Sequence, residues 1–253
     1  MLRSALFVAT CLLIFCGGHV AAAELKFLHT TAIKPAVDEL LAPFQAKTGD
    51  KIITSYGPAG AIVQRARAGE EFDLIIATSS QIADLEKENV IGAGTKRDLA
   101  KVGIGMYVKK GASKPDVSSI ERFKQTLLNA KSVAYIDPSS GGASGIYISS
   151  LLQRLGLAEE LRARTISPKV VADVFNSVAS GDAEIGMGQL SEIVIDPRIE
   201  LVGMLPPEIQ NTTLFAIGVS SKSKETDAAK SLVALMADSG SDQAFKKFGF
   251  ERP

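Results

Sequence analysis

The sequence predicts a doubly wound α/β protein. Two observations carry that prediction. Strand-like and helix-like periodicities alternate from residue 25 onward, and small or hydroxyl residues recur where a strand hands over to a helix. Leu25-Lys26-Phe27-Leu28-His29 alternates as a short strand. Pro35 to Thr48 then places Val37, Leu40, Leu41 and Phe44 on one helical face, stopped by Gly49. Lys51 to Tyr56 reads as a second strand, broken by Gly57-Pro58-Ala59-Gly60. Ala61 to Ala68 reads as a helix ending at Gly69, and Phe72 to Ala77 as a buried strand. Strand–helix–strand–helix–strand within about fifty residues implies parallel pairing with right-handed crossovers.

A second series follows the strand Val102 to Val108. A helix is predicted over Ile120 to Ala130, a strand over Ser132 to Ile136, a loop over Asp137 to Gly145, and a helix from Ile146 to Leu155. Arg164 to Ile166 reads as a strand, Val170 to Ser180 as a helix and Ala183 to Met187 as a strand. Glu200 to Gly203 and Leu214 to Ser220 are two further strands. Helices over Asp227 to Met236 and Gln243 to Phe248 close the chain. No internal repeat or long linker interrupts this order, which suits two lobes joined by strands.

The N-terminus has the order of a secretory signal peptide. Arg3 supplies the positive charge, Ala5 to Phe15 an apolar stretch too short to span a membrane, and Ala21-Ala22-Ala23 a cleavage site. The expected mature chain begins at Glu24 in the periplasm and keeps about 230 residues, ample for a core without disulfides. Cys11 and Cys16 both lie within the signal, so the mature chain has no thiol chemistry. His19 leaves with it, making His29 the sole remaining histidine and excluding zinc sites built on several His or Cys. No metal or cofactor is expected. Lys plus Arg and Asp plus Glu balance at 28 each, so no charge excess points to nucleic acid or an anionic membrane. A monomer without stable membrane insertion is expected.

Three segments share one design: a strand ends, small or hydroxyl residues follow, and a helix begins. They are His29 to Lys34, Ser55 to Ala61, and Asp137 to Gly145. Such turns lie at the carboxyl ends of parallel strands, where helix N-terminal N–H groups and the helix dipole favour an anion. Thr30, Thr31, Ser139, Ser140 and Ser144 add hydroxyl donors. Alternatively these residues only cap helices and turn the chain. Gly57-Pro58-Ala59-Gly60 lacks the Lys-Ser/Thr ending of a P-loop, and no Gly-x-Ser-x-Gly elbow exists.

The whole mature chain resembles periplasmic solute-binding proteins of the type II fold, in the branch related to molybdate-binding proteins. The resemblance rests on Leu25 to Ala36, Tyr56-Gly57-Pro58-Ala59-Gly60, Gly69 to Ile76, Asp98 to Gly105, Ala134 to Pro138 and Gly181 to Gly186. It implies two lobes, residues 24–104 with 217–253 and residues 105–216, joined by two hinge strands near Gly105 and Gly218 around a ligand cleft. It also implies ligand contacts from Thr30, Thr31, Lys34, Gly57, Ala59, Gly60, Ser139, Ser140, Ser144 and Gln189, and delivery to the membrane subunits of an ABC transporter. Molybdate binders carry a second serine pair where Ala59-Gly60 stands here, and a tyrosine where Gln189 stands. Those departures point to an organic carboxylate rather than a tetrahedral dianion, with Lys34, Arg65 and Arg67 as possible charge partners.

Two function classes follow. One is a non-enzymatic receptor for a small anion. The other is an isomerase, since aconitate isomerases resemble the same branch. Shifting a double bond between cis- and trans-aconitate requires a positioned base, for which His29 is the first candidate, ahead of Lys34 and Glu192.

Overall fold

The computed structural model describes residues 22–253. The signal-peptide reading, apart from Ala22 and Ala23, lies outside the described residues. Five strands form the first sheet: β1 (Glu24–Thr30), β2 (Lys51–Gly57), β3 (Leu74–Thr78), β4 (Arg97–Val102) and, from late in the chain, β10 (Thr213–Val219). Their order is β2-β1-β3-β10-β4. The second sheet holds β5 (Ile104–Lys109), β6 (Val133–Ala134), β7 (Thr165–Ile166), β8 (Ile185–Gln189) and β9 (Ile199–Met204), in the order β7-β6-β8-β5-β9. In each sheet four strands run in one direction, while β10 and β5 respectively run antiparallel to both neighbours.

Helices α1 (Lys34–Thr48), α2 (Ala59–Arg67) and α3 (Ser79–Lys87) follow the first three strands. In the second lobe come α4 (Ile120–Asn129), α5 (Ala143–Arg154), α6 (Ala158–Leu161), α7 (Val171–Ser180) and the single turn α8 (Leu190–Ile193). The chain ends in α9 (Thr226–Ala237) and α10 (Asp242–Lys247), which return to the first lobe. Both sheets are covered on two faces. Phe27, Leu41, Phe215 and Phe245 fill one side of the first sheet, and Ile62, Ile75 and Ile82 the other. Phe123, Leu127 and Ile148 pack on one side of the second sheet, and Phe175, Val178 and Ile193 on the other. Full burial of each such side chain contributes roughly 1.5–3 kcal/mol, so each lobe carries its own core.

The lobes are joined at two places. The strand predicted as continuous from Val102 to Val108 is broken at Gly103, where β4 passes to β5. The second crossing lies between Met204 and Thr213. All of β10 therefore belongs to the first sheet, ahead of the expected boundary at 217. Gly218 lies inside that strand, where a Cβ would sit 2.4 Å from Ile91 Cδ1, so it serves packing and not hinging.

Candidate functional site

Five strand-to-helix turns converge on the cleft between the sheets. They enclose an inner cavity of about 20 Å3. Thr30, Thr31 and Ala32 wall it from the turn before α1, Pro58 and Ala59 from the start of α2, and Gly142, Ala143 and Ser144 from the start of α5. Val171 opens α7, and Gln189 and Glu192 flank the start of α8. Where α3 and α4 begin, away from this cavity, Thr78 and Ser119 cap the helix with their side chains. The helices that begin at the cavity have no side-chain cap. Apart from the Gly60 N–H, which donates to the Gly141 carbonyl, their first N–H groups have no side-chain partner, and the dipoles of α2, α5 and α7 direct partial positive charge into one small space. Thr30, Thr31 and Ser144 line the cavity, and neither Thr30 nor the residue ahead of α5 caps a helix with its side chain.

Gln189 is 2% exposed and its Oε1 has no partner, while Nε2 donates to Thr213 Oγ1 at 3.2 Å. Turning the amide lets the Thr213 hydroxyl donate to Oε1 and frees the NH2 for an anion. Glu192 is the one ionisable side chain lining the inner cavity among the described residues. As third residue of α8, it reaches back toward the backbone N–H of Gln189, the geometry of half a capping box. Burial pushes its carboxyl up to about 7; the Gln189 N–H opposes that rise in part, and no cation contributes.

Thr31, Val171 and Glu192 also wall an outer space of about 630 Å3 at the cleft mouth. Pro35, Phe175, Ile195 and Pro197 give it apolar sides, and Lys34 and Arg198 stand at its rim. Both cations are paired, Lys34 with Asp38 and Arg198 with Asp196. Lys34 Nζ also lies 5.1 Å over the Tyr56 ring. A larger groove of about 720 Å3 lies elsewhere on the first lobe, but surface ion pairs such as Lys26–Glu71 and Arg67–Glu88 line it.

Several expected residues stand elsewhere. Ser140 Oγ donates to the Asp137 carbonyl, and the Ser139 N–H to the Asp137 carboxylate, so both hydroxyl residues serve their own turn outside the cavity. Gly57 ends β2 behind Pro58, and Gly60 contacts the opposite lobe instead of the cavity. Arg65 turns away to Glu70 and Ser55, and Arg67 to Glu88. His29 lines neither space. The period of β1 puts it on the face of Leu25 and Phe27, beneath α1, against Phe27 at 5.4 Å and stacked on Tyr56 at 5.7 Å. Its Nδ1–H donates to the Thr30 carbonyl and its Nε2 is unpartnered. Burial pushes the imidazole down to about 4.

The profile of the family described as "Bacterial extracellular solute-binding protein" matches residues 25–251. The chain belongs to that family. This solute-binding protein is 32% identical to an aconitate isomerase of Pseudomonas sp., over 90% of this chain and 87% of the relative. It is 24% identical to the molybdate-binding protein ModA of Azotobacter vinelandii, over 90% of each. The solved periplasmic molybdate-binding protein of Azotobacter vinelandii shares the fold, with a TM-score of 0.75, 18% identity and coverage of 90% of this chain and 99% of that one. Among the described residues, no helix of this solute-binding protein is long and apolar enough to cross a membrane, and no cluster of His, Cys, Asp and Glu is arranged for a metal ion.

Proposed function

We propose that this exported solute-binding protein captures a small organic anion bearing carboxylates and presents it to an ABC importer. The observation that carries this reading is the pairing of two contiguous spaces. The inner cavity offers backbone N–H groups, hydroxyls and an amide in a volume fit for one small polar group. The outer space has apolar walls, fit for a carbon body, and the ion pairs Lys34–Asp38 and Arg198–Asp196 at its rim, whose cations a further carboxylate of the ligand would share. A tetrahedral oxyanion presents oxygen on every side and has no use for apolar walls. A thermal-shift comparison at equal concentration tests the class, because stabilisation follows RT ln(1 + [L]/Kd). Di- and tricarboxylates are expected to raise the midpoint well above the shifts given by molybdate, tungstate or sulfate.

A second reading, isomerisation of an unsaturated tricarboxylate such as aconitate, is favoured by Glu192. A carboxyl raised to about 7 and facing the cavity is fit to take a proton from carbon and return it. The relative that is an aconitate isomerase supports the same reading. Absorbance of single aconitate isomers incubated with the purified protein separates an enzyme from a receptor.

A further inference from the structure

We propose that Glu192 stands in the loaded cavity as a neutral acid donating its O–H to the bound anion, so that each anion captured above neutral pH brings one proton with it. The inference rests on the anion reading of the inner cavity but not on the identity of the anion. Glu192 sits in the wall common to the inner and outer spaces, so any ligand that reaches the helix starts passes against it. The other polar side chains of the inner wall are the hydroxyls of Thr30, Thr31 and Ser144 and the Gln189 amide, and among the described residues no cation lines it to compensate two negative charges. An ionised Glu192 beside a bound carboxylate is a pair of like charges in a buried space, which resolves by protonating one of them. A protonated carboxyl becomes the additional donor that such a cavity calls for.

The surrounding groups leave this balance undisturbed. The turn α8 packs on β5, β8, β9 and the segment Thr31–Ile33. From β5 the nearest titratable group is Tyr107, whose hydroxyl is itself pushed up by burial and by Glu192. β8 and Thr31–Ile33 bring none, and Glu200 on β9 is held by Lys114. Across the outer space Lys34 pairs with Asp38 and Arg198 with Asp196, and Asp173 on α7 is exposed. The cations near Glu192 are therefore already matched by carboxylates of their own.

Titration calorimetry between pH 7.5 and 9, in two buffers of different ionisation enthalpy, tests the proposal with trans-aconitate and molybdate as probes. Wild-type affinity is expected to fall about tenfold per pH unit, with uptake of one proton per anion. Glu192→Gln keeps an N–H donor without a titrating proton and is expected to bind with no pH slope and no uptake. Uptake with molybdate while trans-aconitate fails to bind would leave the proposal standing and remove the carboxylate reading. Binding of either probe without proton uptake by the wild type, or an unchanged slope in Glu192→Gln, would overturn the proposal. Failure of both probes to bind would overturn it together with the anion reading.

Discussion

The backbone N–H of Gly60, in the first turn of α2, donates to the carbonyl of Gly141 at 3.0 Å, so the two lobes meet main chain to main chain across the cleft. A Cβ on Gly60 would sit 2.9 Å from Gly141 Cα, and one on Gly141 would sit 2.8 Å from Gly60 Cα. Gly141 also has φ +77°, which a side chain resists. The lobes close over the inner cavity only because neither residue has a side chain.

Gly60→Ala is therefore expected to leave each lobe intact and to hinder closure. Alanine is a better helix former than glycine, and neither lobe core involves Gly60. The unliganded midpoint should move little, while affinity for the preferred anion drops at least about tenfold, roughly 1.4 kcal/mol. Small-angle scattering should show ligand-induced compaction in the wild type and less in the variant. Wild-type affinity and compaction in Gly60→Ala would remove the lip contact from the ligand-bound state.

Two buried titrating groups make opposed contributions to stability. Glu192 has a folded value of about 7 against 4.5 unperturbed, so the fold holds a proton that the unfolded chain releases, and its contribution is lost as pH rises through that window. His29 has a folded value of about 4 against 6.5, so the unfolded chain holds the extra proton and stability is lost as pH falls. Between about pH 4.5 and 6.5 the two slopes, each about 1.4 kcal/mol per pH unit, cancel. Relative to the wild type, Glu192→Gln is expected to gain a stability that rises with pH across this window, and His29→Phe one that falls. Denaturant unfolding of the three proteins at several pH values checks both signs; parallel curves would contradict the burial of these two groups.

Much of this site is legible in the sequence, and the failures have physical reasons. The alternation of periods marks which turns lie at the carboxyl ends of the strands, and Thr30, Thr31, Ala59, Ser144 and Gln189 do line the cavity. Periodicity does not say which residue of a turn faces inward. Ser139 and Ser140 are spent on the Asp137 turn, and Ala143 and Ser144 belong to a helix that starts before the predicted Ile146. Val171 joins the wall through a turn without glycine, whose one hydroxyl, Ser167, donates to the Tyr135 carbonyl. The four-residue α8 is too short to show a helical period, so Glu192 reads from sequence as a weak candidate while the fold places it in the cavity wall. His29 fails as a cleft residue because β1 alternates: Thr30 faces the cavity and its neighbour faces the core.

In an isomerase Glu192 would instead meet the substrate ionised, with no proton taken up on binding, and serve as the base. Glu192→Gln is then expected to lose about 10²–10⁴-fold in rate while retaining binding, the usual cost of removing a general base. His29→Asn is expected to keep the rate within a few-fold once corrected for folded protein. Steady-state absorbance with calorimetric affinity for each variant checks the split, and a His29 variant that binds without turnover would return the base to His29.

The proposed mode of capture puts one carboxylate head among the helix starts and the rest of the ligand in the outer space. A crystal structure of the protein with a bound tricarboxylate tests it most directly. One carboxylate is expected within about 2.7–3.2 Å of the N–H groups at the starts of α2 and α5 and of the Gln189 amide, beside Glu192, with a further carboxylate toward Lys34 and Arg198. A ligand bound outside the cleft, or an inner cavity that accepts only a tetrahedral oxyanion while tricarboxylates fail to enter, would contradict the account.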